Sequence, residues 1–548
     1  MEIANNSPDV PINENTLVSA ATPVRMTLLT AESDFPEWTL SSTPNFKAIA
    51  KIALEKFNID YRLETFISSE GASVVSTRFA AGVDLPDVIN YSYAIERVAQ
   101  LYDNGLLLRL NDLINDNAPH VQGLLDMRPY VKIAHSNANG DILRIPANYV
   151  ENPQHLIQVL HVRNDWLERI GFTYEDIQTP DDLYLMLKSF QEQDVNGNGK
   201  KDEVLSAAGL YAVYDLLNVL GTAFGIPNAN MSANAWYYDE KGVIYNCNAT
   251  DSMKELVSYL NRLFAEGLVD NSIATQGGDQ YSQKMMTNQI AAFPGRWWDS
   301  VVYNMMLRDR GFDGCEFLPL ARAISNNGTP MNYVSAMTGY GGYMFTSSCA
   351  DPVAFMKFCD WGYSPEGTVM NYYGVEDINV GSEYFQKSIA LPGLTMSEIQ
   401  MDATPFHNEA TKSEPMLRYK MGWNQDFSTK ASIGAADGVA QEFYTSFTVE
   451  KSGKAAVVDF NLNGLNEAVD TYGIPACLFA SATEDEAELW NAFTDLWLYM
   501  DNTLIRFITG QETLENWDNF IDECNKMGLS SATAIRQARY DRCLTIFG

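Results

Sequence analysis

Oxygen-bearing side chains are concentrated in one short stretch, residues 194–203, which reads Asp-Val-Asn-Gly-Asn-Gly-Lys-Lys-Asp-Glu. The candidate metal donors are the side chains of Asp194, Asn196, Asn198, Asp202 and Glu203 and the carbonyl oxygen of Lys200. Alternating positions of a tight loop direct their oxygens towards one centre, and Gly199 stands where a calcium loop must turn sharply. Oxygen ligands without Cys or His favour a hard cation, so the stretch predicts a calcium site.

The stretch departs from the EF-hand rule at one position. The twelfth residue of the loop is Leu205 instead of a bidentate Glu, so Glu203 would have to supply that carboxylate. A solvated Asn/Gly turn is the alternative, since Asn-Gly dipeptides are common in turns. The regular spacing of the oxygen side chains favours calcium over that alternative.

The composition is that of a large globular protein. At 548 residues the chain is too long for one ordinary core, so two or more lobes are expected. The formal net charge of −33 disfavours nucleic acid or an anionic membrane as the partner surface. Residues 1–23 are polar, lack an export signal and are expected to form a flexible leader. This is the composition expected of a mature exported protein without its signal.

The elements near the start of the chain predict an α/β sheet. Strand patterns at 24–30, 61–66 and 85–89 alternate with helical patterns around 45–57 and 74–81. That order is typical of parallel strands, and ligands of such sheets bind beyond the carboxyl ends of the strands. The rule indicates Asp34, Trp38, Asn90 and Tyr91 as candidates for ligand contact.

Later elements predict how the calcium stretch is held. Residues 142–146 are expected to form a strand that leaves the first lobe, and 159–163 a strand that leads into a helix. Thr179 followed by Pro180 predicts a helix start, with Thr as the cap and Pro at the first helical position. That helix runs directly into the calcium stretch, so a cation there would have a structural role. The last third of the chain is predicted to be helical.

Several segments together resemble a known family. They are Leu85-Pro86-Asp87-Val88-Ile89, Tyr102-Asp103-Asn104-Gly105-Leu106-Leu107, Arg163-Asn164-Asp165-Trp166-Leu167-Glu168-Arg169-Ile170-Gly171, the 194–203 stretch, Asp360-Trp361-Gly362-Tyr363-Ser364-Pro365-Glu366-Gly367, and the tail segments 516–520 and 538–541. They resemble the extracellular solute-binding proteins of bacterial ABC carbohydrate importers. The similarity is to the large lipoprotein subset that includes alginate-oligosaccharide-binding proteins, and it covers roughly residues 24–545.

The resemblance implies a two-lobed α/β fold of the periplasmic-binding-protein type (type II-like), with a hinge, a ligand cleft and a helical C-terminal part. One lobe is expected from 24–147 plus 318–400 and the other from 148–317 plus 401–548. In the family the calcium is structural and lies on the second lobe, away from the sugar. The resemblance further implies an extracellular, membrane-anchored lipoprotein in the native form. Its expected partners are an oligosaccharide and the permease subunits of an ABC transporter, with no nucleic acid, and it is expected to be a monomer and not an enzyme.

Sugar binding requires aromatic rings against the C–H faces of the ligand and planar polar groups for its hydroxyls. The chain has 28 Tyr and 10 Trp, enough to supply such a site. The candidate sugar-binding residues are Trp297, Trp298, Arg296, Asp299, Trp38, Asp34, Asn90, Tyr91, Tyr149, Tyr340 and Tyr343. Adjacent helical residues face different ways, so one of Trp297 and Trp298 is alternatively a core residue.

The sequence also allows two other functions. A peptide- or lipid-binding import receptor of the same fold is one alternative, because a fold does not fix its ligand. A secreted glycan-active enzyme is another, although no catalytic triad or phosphate-loop signature is present. The net charge does not suit a uronate ligand by long-range attraction, whereas Arg296 could pair with one locally.

Overall fold

The computed structural model describes most of the chain in separate ranges. They are 22–32, 44–67, 70–82, 84–91, 93–127, 129–146, 158–207, 212–296, 299–312, 314–320, 324–328, 331–334, 342–364 and 473–547. Residues 1–21 of the predicted leader lie outside these ranges. Among the helices that are described, none is long and apolar enough to cross a membrane.

The described elements alternate between strands and helices over most of the chain. The strands are β1 (Val24–Glu32), β2 (Ile59–Ile67), β3 (Val88–Asn90), β4 (Val159–Arg163), β5 (Val204–Leu205), β6 (Trp236–Tyr238), β7 (Ile244–Asn246), β8 (Ile290–Gly295), β9 (Phe317–Pro319), β10 (Asn332–Val334), β11 (Tyr343–Phe345) and β12 (Gly473–Pro475). The helices are α1 (Pro44–Phe57), α2 (Gly71–Ala81), α3 (Ile95–Asp103), α4 (Asn111–Asn117), α5 (Pro119–Met127), α6 (Pro129–Ala134), α7 (Asn164–Ile170), α8 (Pro180–Gln193), α9 (Ala212–Gly221), α10 (Asp251–Ala265), α11 (Gly278–Met286), α12 (Asp299–Asp309), α13 (Pro352–Tyr363), α14 (Glu484–Asn491), α15 (Thr494–Ile508), α16 (Trp517–Lys526) and α17 (Leu529–Phe547).

The first sheet has the strand order β11-β3-β1-β2. Strands β1, β2 and β3 are parallel to one another, and β11 joins the edge in the antiparallel sense. Successive side chains alternate between the two faces, so Leu28 and Leu29 enter different hydrophobic clusters, as do Val88 and Ile89. Both faces of the sheet are therefore covered, as expected for parallel strands.

The second sheet has the order β5-β8-β4-β9. Strand β5 is parallel to β8, whereas β4 runs antiparallel to both β8 and β9. The carboxyl ends of β5, β8 and β9 and the amino end of β4 consequently meet at one edge. On β4, Leu160 and Val162 face the largest hydrophobic cluster, and His161 points to the other face.

The C-terminal helices complete the core of the second sheet. Trp497, Phe507 and Trp517 are buried in the same cluster as Val162 on β4. The first two helices of this part, α14 and α15, are separated by Ala492 and Phe493. The prediction of a helical C-terminal part is correct over the described residues 484–547.

Helix α17 also contacts residues of the first part of the chain. Arg539 donates to Glu96 on α3 across 3.0 Å, and its Nε donates to the Ala480 carbonyl at 2.7 Å. Ile133 on α6 shares a small buried cluster with Ala480 and Cys543. Since Glu96 and Ile133 belong to elements near the first sheet, the last helix joins both halves of the protein.

The predicted strand at 142–146 is wrong as a regular element. Ile142 and Ile145 each form only an isolated bridge, with Ser136 and Tyr343 respectively. The carboxylate of Asp141 instead holds Arg109 at 2.8 Å, and Asn111 accepts from the backbone N–H of Ile142 at 2.8 Å. Side chains thus take hydrogen bonds that a strand ladder would have made.

Candidate functional site

Polar groups gather at the edge of the second sheet where β8 ends. The chain leaves β8 at Gly295 and enters α12 at Asp299. The backbone N–H of Arg296 donates to Asp299 Oδ2 at 2.8 Å. A Cβ on Gly295 would lie only 2.8 Å from that same oxygen, so the missing side chain lets Asp299 approach the strand end.

Helix α9 and the residue before β4 bring further polar groups to this cluster. The register pairs Val159 with Gly295, which places Gln158 at the same edge. Gln158 Nε2 donates to Asp215 Oδ1 at 3.4 Å, and Asn218 Nδ2 donates to Gln158 Oε1 at 3.3 Å. Asp215 and Asn218 are three residues apart on α9 and share one face of that helix.

The opposite face of α9 is apolar and anchors the helix. Leu216, Leu217 and Leu220 are buried in the large hydrophobic cluster. The cluster formed by Gln158, Asp215, Asn218, Arg296 and Asp299 is called the sheet-edge cluster below. Its side chains are attached to rigid elements, an arrangement suited to holding fixed hydrogen-bonding groups.

The charges of the sheet-edge cluster influence one another. Burial raises the pKa of the Asp215 carboxyl, while its hydrogen bond from Gln158 and the charge of Arg296 lower it. Burial likewise raises the pKa of Asp299, and the charge of Asp215 raises it further. The hydrogen bond from the Arg296 backbone and the charge of Arg296 lower it. The positive charge of Arg296 thus lowers the pKa of both carboxyl groups, against the effect of their burial.

His161 lies beneath this edge and stays neutral. It is completely buried and stacks on Phe293, with ring centroids 4.7 Å apart and an interplanar angle of 8°. Burial lowers its pKa from 6.5 to about 3, against the opposing effect of backbone hydrogen bonds at Gly295 and Arg296. The imidazole is thus a packing group near the cluster and adds no charge to it at neutral pH.

The edge of the first sheet also ends in polar and aromatic residues. Asn90, the last residue of β3, accepts from the backbone N–H of Gly342 at 3.2 Å and donates to the Thr30 hydroxyl at 3.4 Å. Tyr91 is half-buried and makes an edge contact with Tyr93 at 4.6 Å between ring centroids. Asn90 and Tyr91, which were selected because ligands bind beyond the carboxyl ends of parallel strands, do lie at that edge of the first sheet.

Other sugar-binding candidates have different positions. Tyr343 is completely buried in the core of the first sheet, because its position on β11 faces α13 and not the strand ends. The remaining candidates lie outside the described residues: Asp34, Trp38, Tyr149, Trp297, Trp298 and Tyr340. Besides Tyr343, the candidates whose surroundings the structure describes are Arg296, Asp299, Asn90 and Tyr91.

The sequence reasoning missed Gln158, Asp215 and Asn218. A signal for two of them was present, because Asp215 and Asn218 interrupt an otherwise apolar helix at a spacing of three. A polar pair on one face of an apolar helix indicates a site or a buried network. Gln158 carries no such signal, since only the strand register brings it to the cluster.

The predicted calcium loop folds as a compact turn after α8. The Thr179 hydroxyl accepts from the backbone of Asp182 at 3.2 Å, and the Asp182 carboxylate accepts from the backbone of Thr179 at 2.9 Å, so the predicted helix start is confirmed. The helix ends at Asp194, which adopts a left-handed conformation with φ of 47°. Asp194 accepts from the backbone N–H of Gly199 at 2.8 Å and so closes the loop on itself.

The donor set of this loop fits a hard cation. Glu203 is completely buried, and its Oε2 has no hydrogen-bond partner among the described residues. Burial raises the pKa of Glu203, and the charges of Asp202 and Asp194 raise it further. A buried carboxylate oxygen without a partner, beside two more carboxylates, is an arrangement that a divalent cation would stabilise.

The described residues contain no metal site built only from His, Cys, Asp and Glu side chains. Within the described ranges, no group of three or more such side chains could hold a metal ion. The loop differs from that pattern because two of its predicted donors are Asn and one is a backbone carbonyl. Oxygen donors of these kinds are common around calcium.

The chain is similar to known solute-binding proteins in both sequence and structure. In sequence the chain is 21% identical over 480 residues to the fructooligosaccharide ABC transporter substrate-binding protein FusA of Streptococcus pneumoniae, covering 84% of this chain and 80% of FusA. Its structure matches an extracellular solute-binding protein of Bifidobacterium longum subsp. infantis with a TM-score of 0.69 at 17% identity, over 95% of this chain and 98% of that one. The chain has the fold of an extracellular solute-binding protein. No family model matches the sequence.

Two further matches bear on this solute-binding-protein fold. The alginate-binding protein AlgQ2, solved without calcium ion, matches with a TM-score of 0.65 at 19% identity, over 95% of this chain and 99% of AlgQ2. An EF-hand mutant of FusA in complex with fructo-nystose matches with a TM-score of 0.67 at 20% identity, over 95% and 99% of the two chains. The predicted resemblance and the two-lobed α/β fold are thereby confirmed, and these relatives are binding proteins.

Proposed function

We propose that this protein is the substrate-binding receptor of an ABC importer and captures a carbohydrate, most simply an oligosaccharide, in a cleft between its lobes. The observation that carries the proposal is the sequence similarity to FusA along 84% of the chain. The same fold is found in FusA in complex with kestose, with a TM-score of 0.66 at 19% identity. The ordered polar groups at the two sheet edges support the proposal, since both edges offer acceptors and donors for hydroxyls.

The chemistry of those edges suits a sugar. Asn90 provides an amide and Tyr91 an aromatic ring at the first edge, while Arg296 and Asp299 provide planar charged groups at the second. Planar side chains bind vicinal hydroxyls, and rings cover C–H faces. The sugar-binding roles of Trp297, Trp298, Trp38, Asp34, Tyr149 and Tyr340 remain part of the proposal.

Calcium is proposed to have a structural role in the 194–203 loop. Asp194, Asn196, Asn198, Asp202 and Glu203 with the Lys200 carbonyl would hold the ion. The buried Glu203 oxygen without a partner supports this assignment. The bound ion would neutralise the three carboxylates and join the end of α8 to β5, which begins at Val204.

The remaining parts of the proposal concern organisation. The lobe boundaries of 24–147 plus 318–400 and 148–317 plus 401–548 stay a prediction, and strand β9 spans the position where they divide the chain. The receptor is proposed to be an extracellular lipoprotein that delivers sugar to permease subunits as a monomer. Similarity to the lipoprotein LipO of Bacillus subtilis, 27% over 131 residues and 23% of the chain, supports the anchor.

A glycan array followed by calorimetric titration tests the function. We expect tight binding of an oligosaccharide without release of reducing ends. Replacement of Trp297 and Trp298 by Ala, one at a time, is expected to weaken binding about tenfold, or about 1.4 kcal/mol, for the ring that stacks on sugar. Leu489→Ala, at an exposed apolar residue of α14, is the matched control and should leave the affinity unchanged.

Three outcomes would contradict the proposal. Release of reducing ends over hours would indicate an enzyme. Binding of peptides or lipids in place of any glycan would indicate an import receptor for another ligand class. An affinity unaffected by either Trp replacement would remove these residues from the site.

A further inference from the structure

We propose that Arg144 is a positioning residue for the sugar site at the edge of the first sheet, where it holds Tyr93 and thereby the aromatic ring of Tyr91. The proposal rests on the carbohydrate-receptor function proposed above, in which Asn90 and Tyr91 contact the ligand. Arg144 acts through the backbone that carries the Tyr91 ring, and not by contact with the sugar.

The connection between β3 and α3 depends on contacts from outside those two elements. Tyr91, Tyr93 and Ala94 follow the end of β3 and precede the start of α3. Ala94 stands at the cap position of α3 and offers no side chain to bond the free N–H groups of the helix start. Neither a strand ladder nor a helix cap therefore fixes the direction in which the Tyr91 ring projects.

Tyr93 is held through both its backbone and its side chain. Nη1 of Arg144 donates a hydrogen bond to the Tyr93 carbonyl. The hydroxyls of Tyr93 and Ser76 on α2 are hydrogen-bonded at 2.9 Å. The Tyr93 ring in turn meets the Tyr91 ring edge-on, with an interplanar angle of 70°. A displacement of the Tyr93 backbone would consequently move the ring against which Tyr91 packs.

Arg144 is itself fixed from the other side. Its Nε donates to Nδ1 of His135 at 2.9 Å, and its Nη2 donates to the Ala134 carbonyl at 3.3 Å. His135 is only 1% exposed. Because all three guanidinium nitrogens are hydrogen-bonded, the planar group is locked in one orientation and presents Nη1 to Tyr93.

Gly342 leaves the space through which the Arg144 side chain passes. A Cβ on Gly342 would lie 2.6 Å from Arg144 Cδ and 3.2 Å from Cγ, and its three nearest atoms would all belong to Arg144. The backbone of Gly342 is not in the left-handed region, so the obstacle to Ala is the Arg144 side chain. The N–H of Gly342 also donates to Asn90 Oδ1 at 3.2 Å, which places Arg144 beside the candidate ligand residues.

The position of Arg144 is costly for folding. Burial lowers the pKa of its guanidinium to about 10, an effect that the charge of Glu96 opposes. The acceptors of its three side-chain hydrogen bonds are neutral groups, so none of these bonds is an ion pair. A desolvated charge with neutral partners is a weak source of stability, and such arrangements are typical of residues that position a functional site.

The first test is a double-mutant cycle between Arg144 and Tyr91, measured by calorimetry. The probe is the oligosaccharide that binds most tightly on the glycan array. Arg144→Met keeps an unbranched chain, removes the three hydrogen bonds and should weaken binding about tenfold. Tyr91→Ala should also weaken binding about tenfold. In the Tyr91→Ala protein, Arg144→Met should cost less than about threefold, because the ring that Arg144 positions is absent.

The second test perturbs Arg144 without replacing it. Gly342→Ala should weaken binding about tenfold, because the added methyl group displaces the Arg144 side chain from Tyr93. In an Arg144→Ala protein, whose side chain lacks Cγ and Cδ, Gly342→Ala should weaken binding no further. This cycle decides the question if Arg144→Met fails to fold.

The control is Arg97→Met, which removes the same charge from an exposed residue of α3 whose side chain donates to Gln100. It should leave the affinity unchanged, and a thermal melt of each variant verifies folding. A purely structural Arg144 would give additive losses in both cycles. Additive losses, an Arg144→Met affinity equal to that of Arg97→Met, or an unchanged affinity of Tyr91→Ala overturns the positioning role while carbohydrate binding stands. A blank array overturns the proposed function and the positioning role together.

Discussion

The buried imidazole of His161 should make the protein less stable at mildly acidic pH. Its pKa is lowered from 6.5 to about 3 because burial excludes the charged form. The unfolded chain binds a proton below about pH 6.5 that the folded protein cannot bind. Stability from the neutral imidazole is therefore present above pH 6.5 and is lost as the pH falls towards 3.

The size of the loss follows from linkage. Each pH unit below the unfolded pKa removes about 1.4 kcal/mol, so a fall from pH 7.5 to pH 5 costs about 2 kcal/mol from this group alone. His161→Phe keeps a ring against Phe293, which lies 4.7 Å away, and removes the titration. Carboxyl groups with a raised pKa, such as Asp215 and Asp299, make the folded protein more stable as the pH falls. Both proteins contain these groups, so their contribution cancels when the unfolding free energies of wild type and variant are subtracted.

The assay is urea unfolding of both proteins at pH 7.5, 6.5, 5.5 and 5.0, followed by tryptophan fluorescence. The difference in unfolding free energy between wild type and His161→Phe should change by about 2 kcal/mol over this range, in favour of the variant at low pH. Parallel curves for the two proteins would refute the reasoning. They would mean that the imidazole is protonated in the folded state or hydrated in that position.

Three more outcomes are expected. Chelation of calcium should lower the melting temperature, while the sugar affinity of the folded protein changes little. In Glu203→Gln the chelator should no longer lower the melting temperature. A strong dependence of the sugar affinity on calcium would instead place the ion near the sugar. Small-angle scattering should show a more compact particle with saturating sugar, whereas identical curves would argue against hinge closure. Glu96→Ala should lower the free energy of unfolding in urea by about 3 kcal/mol, because the Arg539 side chain is only 11% exposed and would lose its charged partner. An effect as small as that of breaking an exposed pair such as Lys188–Glu266 would contradict this expectation.

The parts of the fold that local sequence rules govern were predictable. The parallel strands β1 and β2 carry their own hydrophobic pattern, and Thr179 with Pro180 marks the start of α8. The 194–203 loop was recognisable because all its donors lie within one short segment. In each case the information is contained in neighbouring residues.

The sheet-edge cluster was only half predictable, for a physical reason. Arg296 and Asp299 follow a strand directly and could be found by the rule on strand ends. Gln158 and Asp215 come from separate elements, and only the pairing of Val159 with Gly295 brings Gln158 to the same edge. Long-range packing also buries Trp236, which is 1% exposed because the β6–β7 hairpin packs against α17 and Trp490.

The position of the C-terminal helices has a consequence for when the protein can fold. The core around Val162 and Leu187 is completed by Trp517 and Ala532, more than three hundred residues later in the chain. The apolar face in the middle of the chain can therefore be covered in the native way only after these C-terminal helices have been synthesised. A chain that cannot finish its core early stays unfolded for longer, which is the state that a protein needs for threading through a narrow export channel.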